Sequence, residues 1–191
     1  MSGSKAINLF ICDIQHRFRP AISNFDRVVA TIRKIVEASK LFDTKIIITE
    51  HSPEVFGNLC PETGINVSNL PSNVQVFPKT KFSMLMPEVK EVVRPGDAPT
   101  GRLAVIVGIE SHICVLQTAL ELLKLREEVV VIADGVSSCN PEEVPIALAT
   151  IRQAGGLVLT SESFLYMSMG DAASPSFKAS SKRRRTKLAR L

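Results

Sequence analysis

At 191 residues, 45% of them apolar, the chain is long enough to build one globular domain around a sizeable core. No apolar run reaches the roughly 18–20 residues that span a bilayer, and MSGSKAINLFICD at the start lacks a signal-peptide layout, so a soluble, intracellular protein with no membrane partner is expected. The net charge of +4 arises in residues 178–191, KASSKRRRTKLARL, which hold seven Lys or Arg and no acid; the remainder carries 16 basic against 19 acidic residues, a net −3, and so excludes a strongly basic nucleic-acid-binding body.

The first apolar run, AINLFICD (6–13), has the length and composition of a buried strand. NFDRVVATIRKIVEASKLF (24–42) places Val28, Val29, Ile32, Ile35 and Val36 on one helical stripe. Strands follow at KIIIT (45–49) and VQVF (74–77), then at RLAVIVGI (102–109). SHICVLQTALELLKL (111–125) is a second amphipathic helix, with Val115, Ala119, Leu122 and Leu123 on one face and Ser111 as expected cap. EVVVIAD (128–134) is the fifth strand. PEEVPIALATIRQAG (141–155) is a helix with Asn140 as expected cap and Gly155 as stop, and GLVLT (156–160) is the sixth strand. Residues 1–175 therefore read as one domain, and 176–191 as a basic tail whose composition predicts disorder.

Six strands separated by crossover segments point to an open parallel sheet covered by helices on both faces, a three-layer Rossmann-like α/β sandwich. No GxGxxG follows the first strand and no GxxxxGK[ST] occurs, so neither dinucleotide nor P-loop phosphate binding is supported. The four cysteines, Cys12, Cys60, Cys114 and Cys139, form no CxxC pair; thiols are expected, rather than disulfides or zinc ligands.

In such sheets the site lies at the carboxyl ends of the strands. There the first strand ends in Asp13, the third is followed by Lys79 in FPKTKFS, and the fourth runs through Gly108 toward Cys114. A cysteine one turn into a helix is more often a small packing residue. An acid, a lysine and a thiol at one edge make chemistry the stronger reading, since a helix N-terminus favours a thiolate.

The segments CDIQHRFRP (12–20), FPKTKFSML (77–85) and GIESHICVLQTAL (108–120) resemble the isochorismatase-like cysteine hydrolases, a family that includes nicotinamidases and N-carbamoylsarcosine amidase. The resemblance spans roughly residues 5–170. It implies strand order 3-2-1-4-5-6 and an Asp–Lys–Cys triad, carried over to Asp13, Lys79 and Cys114; Lys79 rather than Lys81 stands three before the Phe82–Ser83 pair. It also implies a non-proline cis peptide between Ile109 and Glu110, with the backbone N–H groups of Glu110 and Cys114 as an oxyanion hole. The implied reaction is hydrolysis of an amide or carbamoyl-type C–N bond through a thioester: Asp13 takes the thiol proton, Lys79 stabilises the thiolate, and Asp13 then protonates the leaving nitrogen and activates water. No cofactor is implied.

Nicotinamidases of this family hold a metal through an Asp-x-His pair after the second strand, where this chain has adjacent Glu50 and His51 in ITEHSPEVFGN (48–58), so no metal is expected. Phe18, His51, Phe56, Phe82 and His112 are candidate substrate-binding residues around a small-molecule substrate. The resemblance further suggests a homo-oligomer. The alternative function is an RNA-associated or nuclease-like one using the tail; residues 182–190 offer at most weak, non-specific, salt-sensitive contact with nucleic acid, since Trp is absent and Tyr166 is the single tyrosine. The cytoplasm is the expected compartment. Ala189-Arg190-Leu191 has the small-basic-leucine form of a peroxisome-type address, and a mitochondrion is a further alternative.

Overall fold

The computed structural model describes residues 6–97 and 101–173. The expected tail, the terminal tripeptide and the last residues of the expected domain lie outside the described residues. Six strands, β1 (Ile7–Cys12), β2 (Thr44–His51), β3 (Val74–Lys79), β4 (Leu103–Ile109), β5 (Glu128–Ser137) and β6 (Leu157–Leu159), form one parallel sheet. Their order is β3-β2-β1-β4-β5-β6. The helices are α1 (Phe25–Ser39), α2 (Pro53–Phe56), α3 (Pro87–Val93), α4 (Leu116–Lys124), α5 (Glu143–Gln153) and α6 (Ser161–Met169).

All six residues of β1 are buried because both faces of the sheet are covered. Ile7, Leu9 and Ile11 face one apolar cluster with Val28, Ile32 and Ile35 of α1. Phe10 and Cys12, on alternate positions, face the other with Val89 of α3 and Ala119 and Leu122 of α4. Each large side chain so enclosed contributes about 1.5–3 kcal/mol of transfer free energy, and the two clusters fix β1 as the centre of the sandwich. The strand order reverses between β1 and β4, so their carboxyl ends form the switch-point crevice.

Several local expectations are corrected. β3 extends through Pro78 to Lys79, which an edge strand allows because the missing proline N–H faces no neighbour. β5 runs on to Ser137, with a register shift opposite Ile106–Gly108 that lets it continue alongside β4. Ser111 does not cap its helix: residues Ser111–Val115 form a π-helical turn, and the Ser111 hydroxyl is buried without a hydrogen-bond partner. Asn140 does not cap α5: Glu142 occupies the cap position, with no side-chain hydrogen bond there. Gly155 does end α5, at φ +97°, with the Gly156 N–H returning to the Ile151 carbonyl at 3.0 Å.

Candidate active site

Strand register carries the three motif residues to one place. Cys12 pairs with Thr49 and with Gly108, and His51 pairs with Lys79, so the ends of β1, β2, β3 and β4 are level. Gly108 is required for this closeness. Its φ is +119°, and a Cβ there would lie 2.1 Å from the Cys12 carbonyl oxygen. Asp13, immediately past β1, takes φ +47° and turns its carboxylate back across the strand ends.

Lys79 Nζ lies 2.6 Å from Asp13 Oδ2, with side-chain exposures of 0% and 2%. The same ammonium is 3.6 Å from Cys114 Sγ, 3.4 Å from His51 Nδ1 and 3.0 Å from the Phe82 carbonyl oxygen. An ammonium donates three protons and accepts none, so four partners share three donors, and His51 Nδ1 must be the acceptor with its proton on Nε2. Burial, and then the positive charge of Lys79, lower the His51 pKa and keep that ring neutral. For Lys79 burial opposes the charge, but its interactions with the neighbouring Cys12, Asp13 and Cys114 groups, the Asp13 hydrogen bond included, outweigh it and raise the pKa. The buried ammonium therefore stays charged. Thr49 Oγ1 donates to the other carboxylate oxygen, Asp13 Oδ1, at 2.7 Å, which leaves Oδ2 to Lys79.

Cys114 sits in the π-helical turn after β4, where the Val115 N–H reaches back five residues to the Glu110 carbonyl at 3.1 Å. The Ile109–Glu110 peptide bond at the head of this turn is cis. Thr118 Oγ1 donates to the Cys114 carbonyl at 2.6 Å and accepts the Met84 N–H at 2.9 Å. Ser83 Oγ donates to Glu121 at 2.7 Å, and Lys81 pairs with Glu121 at 3.0 Å. α4 thereby anchors the 79–85 loop against the cysteine turn while directing Lys81 to Glu121, away from the carboxylate that Lys79 holds.

A pocket of about 160 Å³ opens beside these groups, lined by Asp13, Phe18, His51, Phe56, Phe82, Ile109, Glu110, Ile113 and Cys114. Phe18 stacks on Phe56 with centroids 4.4 Å apart, and His51 lies parallel to Phe82 at 6.0 Å. Phe82 is 51% exposed and stands at the mouth. Gln15 ties the walls together, accepting the His51 N–H at 2.7 Å and donating to the Gly57 carbonyl at 2.6 Å. Of the candidate substrate-binding residues, Phe18, His51, Phe56 and Phe82 share the pocket; His112 instead meets Ser138 Oγ through Nδ1 at 2.9 Å and is absent from the lining.

The residues after β2 do not form a nicotinamidase-like metal pair: Glu50 Oε1 accepts the Leu59 N–H at 2.7 Å, while His51 faces Lys79. Cys12 Sγ, an Asp13 oxygen and Cys114 Sγ lie within 4.8 Å of one another, but the Lys79 ammonium already supplies the cation at Asp13 and Cys114. Thr49, Gln15, Thr118 and Cys12 escaped the sequence reading. Thr49 had the one available signal, its place at the end of an apolar strand beside Asp13.

The sequence profile of the Isochorismatase domain matches residues 8–163. The chain is 37% identical over 176 residues, 92% of its length and 82% of the relative's, to isochorismatase domain-containing protein 2 of Xenopus laevis. It superimposes with TM-score 0.84 and 31% identity on a structure described as MAR1 ribonuclease from Caenorhabditis elegans, covering 94% of this chain and 90% of that one. The nicotinamidase of Staphylococcus aureus is similar in fold, with TM-score 0.71 and 21% identity over 83% of this chain and 98% of its own.

Proposed function

This chain belongs to the isochorismatase family of hydrolase folds, and from its site we propose that it is a cysteine hydrolase that cleaves the C–N bond of a small amide or carbamoyl compound. The observation that carries the reading is Lys79 Nζ lying between Asp13 Oδ2 at 2.6 Å and Cys114 Sγ at 3.6 Å, beside an open pocket. Asp13 accepts the Cys114 proton and Lys79 pairs with the resulting thiolate, which attacks the substrate carbonyl. The N–H groups of Glu110, at the head of the turn, and of Cys114, within it, stabilise the oxyanion. The amine leaves with the proton from Asp13, and a water deprotonated by Asp13 hydrolyses the thioester.

The pocket narrows the substrate. A volume of about 160 Å³ is close to that of a cavity that holds a benzene ring, so the substrate is about the size of one substituted ring or a short chain. Three phenylalanines and a neutral histidine favour an uncharged, flat molecule, and no Lys or Arg among the lining residues offers a partner to an acidic one. The Caenorhabditis elegans neighbour bears a ribonuclease name, but no Lys or Arg lines this pocket to receive a phosphate, and Lys79 is enclosed at 0% exposure. The test is a panel of small amides, ureas and carbamoyl compounds assayed with the parent, Cys114→Ala and Asp13→Asn. Both variants are expected to lose at least about 10²–10³-fold in hydrolysis; a Cys114→Ala protein retaining a tenth of the parent rate rejects the nucleophile.

A further inference from the structure

The hydrolytic cycle leaves one enclosed reactive group without a part to play. Cys12 is fully buried at the end of β1, and its thiol and that of Cys114 lie within 4.8 Å of one another. Cys12 Sγ is also 3.6 Å from Asp13 Oδ2. The approach comes from the same backbone contact that Gly108 permits, since Cys12 and Gly108 are paired across β1 and β4 and Cys114 follows one wide turn later. A small packing role would need no second thiol and no carboxylate. Cys114 opens on the pocket, Cys12 does not, and Asp13 touches the inner one: this is the arrangement of an attacking thiol with a resolving thiol behind it.

We propose that Cys12 and Cys114 form a reversible disulfide when the site meets a hydroperoxide, which switches the hydrolase off and protects its nucleophile from irreversible oxidation. The proposal rests on the reading of Cys114 as a reactive thiolate. In the first step the Cys114 thiolate, its proton held on Asp13, attacks the terminal peroxide oxygen; an S–O bond forms, the O–O bond breaks, and the other oxygen leaves with the proton from Asp13, as water from hydrogen peroxide or as an alcohol from an alkyl hydroperoxide. In the second step Asp13 takes the Cys12 proton, Cys12 Sγ attacks Cys114 Sγ, and an S–S bond forms as the S–O bond breaks. The departing hydroxide recovers the proton from Asp13 and leaves as water, so two electrons pass from the sulfurs to the peroxide. Burial, followed by the hydrogen bond to Cys114 and the neighbouring Asp13 charge, pushes the Cys12 thiol well up, so it does not compete as the first nucleophile and needs the carboxylate beside it. Closing the remaining gap to the roughly 2 Å of a disulfide asks for side-chain rotation at the two cysteines.

The test is intact mass and peptide mapping of the full chain after hydrogen peroxide treatment, with and without dithiothreitol. The parent protein is expected to lose about 2 Da, to yield a Cys12–Cys114 linked peptide, to fall at least about tenfold in Cys114 alkylation, and to recover fully on reduction. Cys12→Ala and Cys12→Ser, checked for native melting, are expected instead to gain about 32 Da at Cys114 as sulfinic acid, which dithiothreitol does not remove. A parent protein that gains oxygen at Cys114 as fast as the variants, links Cys114 to Cys139, or leaves all four cysteines reduced overturns the proposal. The readout is independent of turnover. A Cys12–Cys114 disulfide in a chain whose Cys114→Ala variant still hydrolyses amides would sustain the thiol pair and reject the nucleophile, and active thioester chemistry with no disulfide would do the reverse.

Discussion

Replacing Lys79 by Met tests the electrostatic centre of the site. The side chain fits roughly the same volume, but the ammonium 2.6 Å from Asp13 Oδ2 disappears while the carboxylate remains buried at 2% exposure, holding only the Thr49 hydroxyl and the Cys12 thiol. Removing one partner of a buried ion pair costs about 3–5 kcal/mol because the other charge is left uncompensated. For a chain of this length about 2–4 °C is lost per kcal/mol, so the melting temperature is expected to fall on the order of 10 °C. The pH dependence supplies a second signature. The Lys79 pKa is raised in the folded protein, so its contribution is fully present below the unfolded lysine value of about 10.4 and is lost as pH rises through the folded value. The stability gap between parent and Lys79→Met should therefore be level from pH 6 to about pH 9 and narrow only above roughly pH 10.4. Urea unfolding by circular dichroism across that range measures it. A gap under about 1 kcal/mol at neutral pH would refute the reasoning, because a pair that weak is characteristic of exposed, screened charges.

Other outcomes follow from the same geometry. Gly108→Ala forces a Cβ against the Cys12 backbone at a φ of +119°, and overpacking with backbone strain should cost about 2–6 kcal/mol by thermal unfolding; a neutral effect would show that β1 and β4 can separate there. Chelators should leave hydrolysis unchanged, since Glu50 and His51 face different partners, and stoichiometric zinc or iron in the purified protein by elemental analysis would overturn this. Deleting residues 178–191 should leave hydrolysis intact because the site residues fall between Asp13 and Cys114. Any RNA affinity of that segment should follow a logarithmic salt slope of up to about −5 for its seven cations, at about −0.7 for each phosphate neutralised. RNA binding that survived the deletion would place a nucleic-acid site on the domain.

What could be read in the sequence was what chain-local patterns encode. The apolar runs at 6–13 and 102–109 marked the central strands, because a parallel strand buried on both faces is apolar throughout. Asp13, Lys79 and Cys114 stood out because each follows a strand end and carries titratable chemistry. The helix at 24–42 was legible from its stripe, though α1 stops at Ser39. α3 and α6 went unseen, being short segments whose apolar residues gain their meaning from the sheet beneath. The π-helical turn at 111–115 breaks the 3.6-residue period by which a helix is recognised, and with it fell the expected cap at Ser111. Thr49, Gln15 and Thr118 act on groups 34 to 42 residues away in sequence, across contacts that no local pattern encodes. Cys12 looked like one more apolar strand residue, and only register placed its sulfur near Cys114.

The most direct measurement of the central claim is the mass of the enzyme during turnover. Small uncharged amides and carbamoyl compounds would be mixed with the protein, quenched in acid, and the chain digested and mapped. An acyl group derived from the substrate should appear on Cys114 alone in the parent protein quenched during turnover, and disappear on treatment with hydroxylamine. Turnover of such a compound with no adduct on Cys114, or with the adduct on Cys12 or Cys139, would contradict a thioester mechanism at this site.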